Sequence, residues 1–410
     1  MQSKRNRYIT LSPSCSLRLL ETPCVYNRDE DELYEIGDNA LEFLAKCDGT
    51  RMAGELGAEP EFLSYCLNEG ILTSLDSPYK RHFTLRPSPG DVSLRYLELH
   101  ITSRCNLRCK HCYLSAGDGV DLDLIRVFKV FDEFDKMQGL RMLLSGGEPL
   151  MHKGFWYINE RIQDFGFRSV LLTNGTLINR DIASRLNVQE AQVSIDGLRV
   201  SHDLLRGDGS FNRAIKGIEC LTEAGTKVSV ATMVTALNRN DFDAMQDLVQ
   251  ALGVSEWNVD IPSLSGRFRE NPGLLLPPRE AAEYLAYGFG GGHHLLGAEG
   301  YACGAHLCAV GSKGQVAKCG FYLDNPVGDV SEGLENCWEK VGQIKLDTLD
   351  CDCEHVEDCR GGCRYRAEIY SSEFGPDPVR CYSHGVNPSC MKGGERHDYK
   401  EGTEKLRKCV

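Results

Sequence analysis

The sequence lacks the features that would place the protein in a membrane, outside the cell or on a nucleic acid. It has no apolar run of the roughly 18 residues that a membrane-spanning helix needs. Its basic and polar first residues are followed by no apolar signal-peptide segment. Its formal net charge of −13 argues against a partner held by phosphate neutralisation. We therefore expect a cytoplasmic protein that binds neither a membrane nor a nucleic acid.

Cysteine, in contrast, is abundant, with 19 in 410 residues. In a chain without a secretory signal, clustered cysteines indicate metal centres in a reducing compartment rather than disulfides. The length allows two or three domains with full cores. The N-terminal cysteines that lack ligand spacing, and that we expect to be buried thiols, are Cys15, Cys24, Cys47 and Cys66.

A compact cysteine trio follows an alternating apolar stretch at 96–101 that is typical of a β-strand. Cys105, Cys109 and Cys112 have the spacing C-x3-C-x2-C, so their thiolates can bind three corners of one metal centre. A structural zinc site would want a fourth ligand, for which His111 is a candidate, but its side chain should point away from its neighbour Cys112. An iron–sulfur cluster with one iron free for a small molecule is the favoured interpretation.

The trio resembles the signature of the radical S-adenosylmethionine (SAM) enzymes. The resemblance implies that Cys105, Cys109 and Cys112 hold a 4Fe–4S cluster whose fourth iron is chelated by SAM. It places Tyr113 beside the adenine. It also implies reductive cleavage of SAM to methionine and a 5′-deoxyadenosyl radical, which takes hydrogen from an unactivated C–H bond.

From about residue 92 to 290, short apolar segments alternate with amphipathic stretches, which predicts an α/β fold with a parallel sheet. The resemblance specifies a partial (β/α)6 barrel, open on one side, with its active site at the C-terminal strand ends. After the first strand, further strands are expected at 141–145, 169–173, 191–196, 228–234 and 257–261.

The second of these strands ends in Ser145, Gly146, Gly147 and Glu148, followed by a proline. Two glycines let a backbone approach a ligand closely. The segment resembles the GGEP motif of the family, whose backbone contacts the SAM amino group.

Later strand ends supply four further candidates for SAM binding. The resemblance places Arg206 near the SAM site, where it could pair with the carboxylate. Turn and capping chemistry is the alternative explanation for all four, which are Asn174, Ser194, Asp196 and Arg206.

The N-terminal region, residues 1–85, reads as two short strands around a polar turn at 27–31, two helices and a final strand. The helices are expected at 39–46, with Asp38 as N-cap, and at 59–68, and a turn is expected at 48–50. This order resembles the winged-helix recognition element of PqqD-type proteins. That resemblance implies binding of a precursor-peptide leader as an added edge strand. An ordinary winged helix used for packing or dimerisation is the alternative.

Residues 300–385 contain eight cysteines, which make two sets of four and fit two clusters or two zinc ions. Their pattern resembles the SPASM extension of radical SAM maturases, which binds two auxiliary 4Fe–4S clusters. The family has C-x2-C where this chain has C-x-C, which puts the ligand role of Cys351 in doubt. By the resemblance, the set nearer the substrate is Cys303, Cys308, Cys319 and Cys363, and the outer set is Cys351, Cys353, Cys359 and Cys381.

If both sets are full, no auxiliary iron is open to substrate, and the clusters are expected to transfer electrons. Three further cysteines fall outside the pattern. Cys337 is expected to pack in a helix, and Cys390 and Cys409 lie in a charged tail at 386–410.

These features together lead to the hypothesis of a radical SAM enzyme with three 4Fe–4S clusters. It would cross-link or otherwise oxidise a residue of a ribosomally synthesised precursor peptide, with an electron donor such as ferredoxin or flavodoxin. The enzyme alternatives are oxidation or decarboxylation of a non-peptide such as a porphyrin, and a sulfatase-maturase-like activity. The non-enzyme alternative is a zinc or iron–sulfur scaffold, which would not cleave SAM. No catalytic acid or base stands out in the sequence.

Overall fold

The structure is a computed structural model that describes residues 7–57, 59–82, 85–290 and 299–388. The cysteines at 390 and 409 and most of the expected tail lie outside the described residues. No helix in the described ranges combines the length and apolar character needed to cross a bilayer.

The strands and helices are numbered in chain order. The strands are β1 (Tyr8–Leu11), β2 (Cys15–Leu19), β3 (Pro23–Asn27), β4 (Glu32–Glu35), β5 (Asp48–Met52), β6 (Leu72–Leu75), β7 (Tyr96–Thr102), β8 (Arg141–Gly146), β9 (Arg168–Thr173), β10 (Glu190–Ser194), β11 (Lys227–Met233), β12 (Glu256–Asp260), β13 (Leu307–Val310), β14 (Gln315–Ala317) and β15 (Gly328–Asp329). The α-helices are α1 (Asp38–Lys46), α2 (Pro60–Asn68), α3 (Leu124–Lys136), α4 (Phe155–Arg161), α5 (Arg180–Arg185), α6 (Arg199–Arg206), α7 (Ser210–Glu223), α8 (Phe242–Ala251), α9 (Pro278–Glu283), α10 (Leu334–Val341), α11 (Val356–Cys359), α12 (Arg364–Tyr370) and α13 (Pro378–Ser383).

The N-terminal part contains two small antiparallel sheets and two helices. β1 lies between β5 and β6, while β2, β3 and β4 form a meander. Both expected helices are present, although α1 includes Asp38 and has Gly37 as its N-cap. The turn chemistry expected at 48–50 is present, since the Thr50 N–H donates to the Asp48 carboxylate at 3.0 Å and Gly49 has a φ of 85°. The same residues also begin β5, because their backbone groups pair with β1 on one side and with residues 79–81 on the other.

The central part is built around a largely parallel sheet, as the alternation of strands and helices predicted. Its strand order is β12-β11-β10-β9-β8-β7-β13-β14-β15. The strands from β7 to β12 run parallel to their neighbours, and β13 continues parallel to β7 on the other side. The cysteine-rich C-terminal segment therefore begins as an extension of the central sheet.

Alternate residues of β7 separate the two faces of this sheet. Leu97 and Leu99 are fully buried in the main core, together with Val127 of α3. Glu98 and His100 occupy the alternate positions, and their side chains contact one another. The face opposite to the helix-covered core is therefore where a polar site can form at the end of β7.

The N-terminal meander packs against the first residues of the central strands. Arg141, which begins β8, forms an ion pair with Asp31. Arg168, which begins β9, donates to the carbonyl oxygens of Arg28 and Asp29 at 2.8 and 2.9 Å. Active sites of parallel α/β folds form at the C-terminal ends of the strands. The meander packs at the N-terminal ends of β8 and β9, and it therefore lies at the opposite end of the strands from the expected site.

Candidate active site

The cysteine trio lies on a loop that leaves β7 and folds back on itself. The Cys105 N–H donates to the carbonyl of Gly117 at 2.8 Å, which closes the loop. The Leu107 N–H lies 3.4 Å from the Cys105 sulfur, and the Ala116 N–H lies 3.4 Å from the Cys112 sulfur. Backbone N–H groups directed at sulfur stabilise the thiolate form that binds metal.

Two predicted SAM-site residues lie against the trio. Asn174, which follows β9, has its Nδ2 atom 3.9 Å from the sulfur of Cys105. Arg206, at the end of α6, has its Nη1 atom 3.9 Å from the sulfur of Cys109. Asn174 also makes turn contacts with Thr176, so the capping explanation describes only part of its role. The chain fold thus places an amide and a cation beside two thiols of the loop.

Asp196 holds Arg206 and His111 in position beside the trio. Its carboxylate is fully buried and accepts hydrogen bonds from Arg206, from His111 at 3.0 Å and from the Met233 N–H at 2.7 Å. Burial opposes its ionisation, but the charges of Arg206 and His111 outweigh burial and hold the pKa of Asp196 well below its usual value. Protein donors therefore occupy Asp196, and His111 points to this carboxylate.

The two glycines at the end of β8 are required by the passage of the cysteine loop. Gly146 has a φ of 125°, and a Cβ on Gly147 would lie 2.2 Å from the carbonyl oxygen of Arg104 and 3.1 Å from the Cβ of Cys105. Any larger residue would push the loop away. The motif therefore sets the position of Cys105 through close backbone packing.

Glu148 joins the ends of two strands. Its buried carboxylate accepts from the Thr173 hydroxyl at 2.9 Å, from the Asn174 N–H at 2.9 Å and from the Leu150 N–H at 3.3 Å. Burial raises the pKa of Glu148 to about 7 despite these donors. In this structure Glu148 holds Asn174 in place beside the trio.

Tyr113 and Ser145 meet at a carboxylate that the sequence analysis missed. The Tyr113 hydroxyl donates to Glu98 Oε1 at 2.7 Å, and the Ser145 hydroxyl lies 3.4 Å from the same atom. His100 Nε2 lies 2.6 Å from it as well. Burial opposes ionisation of Glu98, but His100 and these donors lower its pKa. The available signal was the polar alternation of Glu98 and His100 inside an apolar strand.

Ser194 is placed less closely. It closes β10 opposite Ala231 of β11 and is half-buried. Val193, its neighbour, faces the main core, so Ser194 lies on the other side of the sheet. Its role in SAM binding stays a prediction.

Three cysteines of the C-terminal region lie around one recess. The segments after Cys319 and Cys363 are in contact through Phe321 and Tyr365, whose rings stack with centroids 5.0 Å apart. The Cys303 N–H donates to the carbonyl of Arg360 at 3.3 Å, close to Cys363. Burial raises the pKa of Cys319 and of Cys363, and the thiol of Cys303 raises both further.

Cys308 is not brought to this recess. It lies in β13 opposite Leu97, is fully buried and packs in the main core with Cys337. Cys337 packs in α10, where a helix was expected. The outer set is complete, because Cys351, Cys353, Cys359 and Cys381 line one cavity.

The same outer cavity is lined by two histidines. The rings of His355 and His384 stack with centroids 5.1 Å apart. The presence of Cys351 in this cavity supports its predicted ligand role despite the tighter C-x-C spacing.

The donor chemistry of these recesses fits iron–sulfur clusters. Arg364 is buried, and within the described residues its guanidinium donates to backbone carbonyls only. It acts electrostatically on Cys303 of one recess and on Cys351 and Cys359 of the other. A buried cation without a carboxylate partner is costly, and anionic clusters on both sides would neutralise it.

No three or more His, Cys, Asp or Glu side chains in the described part of the chain converge as the ligands of a single ion do. In an iron–sulfur cluster the thiolates bind different irons and stand further apart than ligands of one zinc ion. The spread of the cysteines in each recess is compatible with that arrangement.

Comparisons with known proteins agree with this site. Residues 99–250 match the family described as the Radical SAM superfamily. An AdoMet-dependent heme synthase from Oleidesulfovibrio alaskensis is 26% identical over 351 residues, covering 73% of this chain and 90% of that protein. The mycofactocin maturase MftC from Mycolicibacterium smegmatis is 28% identical over 322 residues, covering 69% of this chain and 81% of the maturase.

Solved structures share the fold. Streptococcus suis SuiB bound to S-adenosylmethionine superposes with a TM-score of 0.64 at 15% identity, covering 90% of this chain and 99% of SuiB. Native anSMEcpe with bound AdoMet gives a TM-score of 0.53 at 16% identity, covering 71% of this chain and 95% of anSMEcpe. These structures show the fold, and the match to the Radical SAM superfamily lies in residues 99–250, a family that implies a 4Fe–4S cluster and SAM.

Proposed function

We propose that this radical SAM enzyme oxidises a residue of a ribosomally synthesised precursor peptide, and that two auxiliary clusters in its C-terminal region accept the electron. One observation carries the proposal: two groups of cysteines flank the same polar face of the central sheet. Tyr113, which follows the trio, contacts Phe321 with ring centroids 5.1 Å apart, and Phe321 stacks on Tyr365. A substrate between the groups would lie near both.

The residues around the trio have distinct tasks in this proposal. Cys105, Cys109 and Cys112 hold the first cluster, which when bound supplies the electron that splits SAM. Asn174 and Arg206 stabilise the thiolates by donating towards their sulfurs. The fixed strand ends exclude water and orient the sulfonium, which is the contribution of the protein to cofactor chemistry.

The glycines of the strand end have a second task. In this proposal the SAM amino group meets the backbone of Gly146 and Gly147, which carry no side chain of their own. A Cβ on Gly147 would displace the cysteine loop.

Oxidation of the substrate follows from the electron balance. Hydrogen abstraction from a substrate C–H leaves a carbon radical, and loss of one electron from it gives a net two-electron oxidation. The electron passes to the auxiliary centre, and an external ferredoxin or flavodoxin completes the cycle. The substrate then forms a new bond or a double bond, with loss of a proton.

The peptide substrate is supported by the N-terminal part and by the relatives. β4 pairs with β3 on one side only among the described strands, so its other edge can receive an extended peptide. MftC is named a maturase, and one SuiB structure is described as bound to the precursor peptide SuiA. By analogy, we place the leader of the substrate on the edge of β4.

A porphyrin substrate is the second candidate. The specific observation in its favour is the similarity to heme synthases, which is as extensive as the similarity to the maturases. This candidate would use the same SAM chemistry for oxidative decarboxylation and would need no leader at β4.

The test begins with anaerobically reconstituted enzyme, SAM and dithionite. Formation of 5′-deoxyadenosine is expected, and its absence would end the proposal. Peptides encoded near the gene are then added, and a mass loss of about two hydrogens is expected in one of them. Hydrogen exchange then tests the proposed leader site: the amides of β4 should exchange more slowly when a peptide is bound. No peptide effect at β4, together with SAM-dependent decarboxylation of an added porphyrin, would favour the second candidate.

A further inference from the structure

We propose that the auxiliary centre nearer the trio is held by three cysteines, Cys303, Cys319 and Cys363, and has an iron open to an external anionic donor. The inference rests on the proposed function for the existence of that centre. It departs from the four-cysteine set implied by the resemblance, because Cys308 faces another part of the molecule. A thiolate is the donor that best matches iron of this kind.

The position of Cys308 follows from strand alternation. In β13, Cys308 pairs with Leu97 and joins the helix-covered core, where it meets Cys337. Ala309, the next residue, lies on the opposite face with Leu114 of the trio loop. Moving Cys308 to that face would need a one-residue slip of β13, which would turn every side chain of the strand over.

The core around Cys308 is also closely packed. A Cβ on Gly328 would lie 2.7 Å from the sulfur of Cys337, so the neighbouring turn fits tightly against α10. Trp338 of the same helix is 1% exposed. Rearranging this core to release one thiol would break contacts that hold β13 to the sheet.

The other three thiols have a different environment. Cys308 is 0% exposed, whereas Cys303 is an exposed residue and Cys319 and Cys363 are half-buried. The three thiols nevertheless lie close enough together that Cys303 acts electrostatically on both Cys319 and Cys363. Three thiols that face a recess can share one cluster, and the accessible side at Cys303 is where the fourth position opens.

This recess borders the site of the trio. Gly320, next to Cys319, packs so closely that a Cβ on it would lie 2.8 Å from Glu98 Oε2 and 3.1 Å from the Tyr113 ring. The Glu98 carboxylate is held in position by Tyr113 and His100, which both contact its Oε1 atom. An external donor at the open iron would therefore sit beside the region in which SAM is expected.

The first experiment separates the two ligand sets by iron content and EPR. It uses the full-length protein with the trio replaced (Cys105→Ala, Cys109→Ala, Cys112→Ala), so that only auxiliary iron remains. Adding Cys308→Ala or Cys308→Val should leave about eight irons per chain and an unchanged EPR spectrum. Adding Cys303→Ala should remove about half of the iron. Cys337→Ala is the matched control, because it alters the same core.

The inference is overturned if Cys308→Ala and Cys308→Val lose iron as Cys303→Ala does, while Cys337→Ala retains it. If Cys337→Ala loses as much iron as the Cys308 variants, the loss reflects damage to the core that these residues share. In that case the EPR spectrum of the remaining iron in Cys308→Val decides, with an altered spectrum counting against the inference.

The second experiment probes the open iron with ¹³C-cyanide in the same trio-free protein. A ¹³C hyperfine coupling on one auxiliary cluster is expected, and it should vanish in Cys303→Ala. No coupling in the trio-free protein, or coupling only after Glu98→Gln, would show that the position is filled by the protein and would overturn the inference. SAM cleavage is not measured in either experiment, so a failure here is distinguishable from a failure of the proposed function.

Discussion

The two cysteine-rich regions of this protein are assembled in different ways. The trio is carried by one short loop, and local backbone contacts such as Cys105 N–H to Gly117 bring its thiols together. The eight C-terminal cysteines come from β13, from α11 and α13, and from the loops before β13, after β14, before α11 and before α12. Their grouping depends on how distant elements pack. Sequence spacing is therefore a good guide to the trio and a poorer guide to the C-terminal sets.

The largest effect that we expect tests the trio alone. Cys109→Ala should abolish 5′-deoxyadenosine formation and remove about four irons per chain, because two thiolates are insufficient to hold the first cluster. Product analysis by HPLC and iron assay measure both. Cys24→Ala, in a buried strand of the N-terminal meander, is the control and should keep both values. Retained SAM cleavage in Cys109→Ala would contradict the assignment of the trio.

The next prediction compares one buried ion pair in each region. Arg206→Met leaves the buried Asp196 with His111 as its only cationic partner among the described residues, and Arg366→Met leaves Asp377 buried without its guanidinium. Each should lower the free energy of unfolding by about 3–5 kcal/mol. Iron assay with EPR should then show that Arg206→Met affects the first cluster and Arg366→Met the auxiliary clusters.

The control for both variants is Arg239→Met, which breaks an exposed pair with Glu280. It should cost about 0–1 kcal/mol. Loss of the same cluster in the Arg206 and Arg366 variants would show that the two regions are not independent.

A pH prediction sharpens the comparison at the trio. Burial raises the pKa of Glu148 to about 7, so the folded state keeps a proton that the unfolded chain releases near pH 4.3. Stability is thus lost as the pH rises from about 4.3 to 7, by up to roughly 4 kcal/mol. Glu148→Gln should remove this loss. In thermal unfolding of the metal-free protein, the stability of Glu148→Gln relative to wild type should be higher at pH 8 than at pH 5. An equal stability difference at both pH values would refute the prediction.

The smallest effect concerns the glycine that supports the loop. Gly147→Ala places a methyl group against the Arg104 carbonyl and should cost about 1–3 kcal/mol, with weaker iron retention in the trio. Thermal unfolding and iron release to a chelator measure these effects. Gly273→Ala, where nothing lies within 4 Å of the added carbon, is the control. An unchanged Gly147→Ala variant would mean that the loop can shift freely.

Much of the fold was accessible from the sequence because periodicity is local. The strands at 141–145 and 169–173 appear within one residue of their expected bounds, since apolar runs and turn residues mark them directly. The turn chemistry expected at 48–50 is present, but the same residues also begin β5, because their backbone pairs with β1 and with residues 79–81, which no local signal reveals.

The site residues also divide into those that local sequence patterns predict and those whose role depends on distant parts of the fold. Asn174 and Arg206 lie beside the trio, whereas Asp196 and Glu148 accept hydrogen bonds from the protein itself, and the SAM contacts of all four stay predictions. Glu98 was missed because a carboxylate inside an apolar strand has meaning only once the partners on its face are known. Its partners, Tyr113 and Ser145, come from two other elements.

The amino-acid sequence by itself determined the trio and the order of strands and helices, because both depend on contacts between residues close together in the chain. Only the tertiary structure decided which C-terminal thiols share a recess. The side of the sheet that Cys308 faces is set by the register of β13 against β7, two strands separated by about two hundred residues of chain. A side chain in a strand has only two faces to choose from, and the neighbouring strand makes that choice.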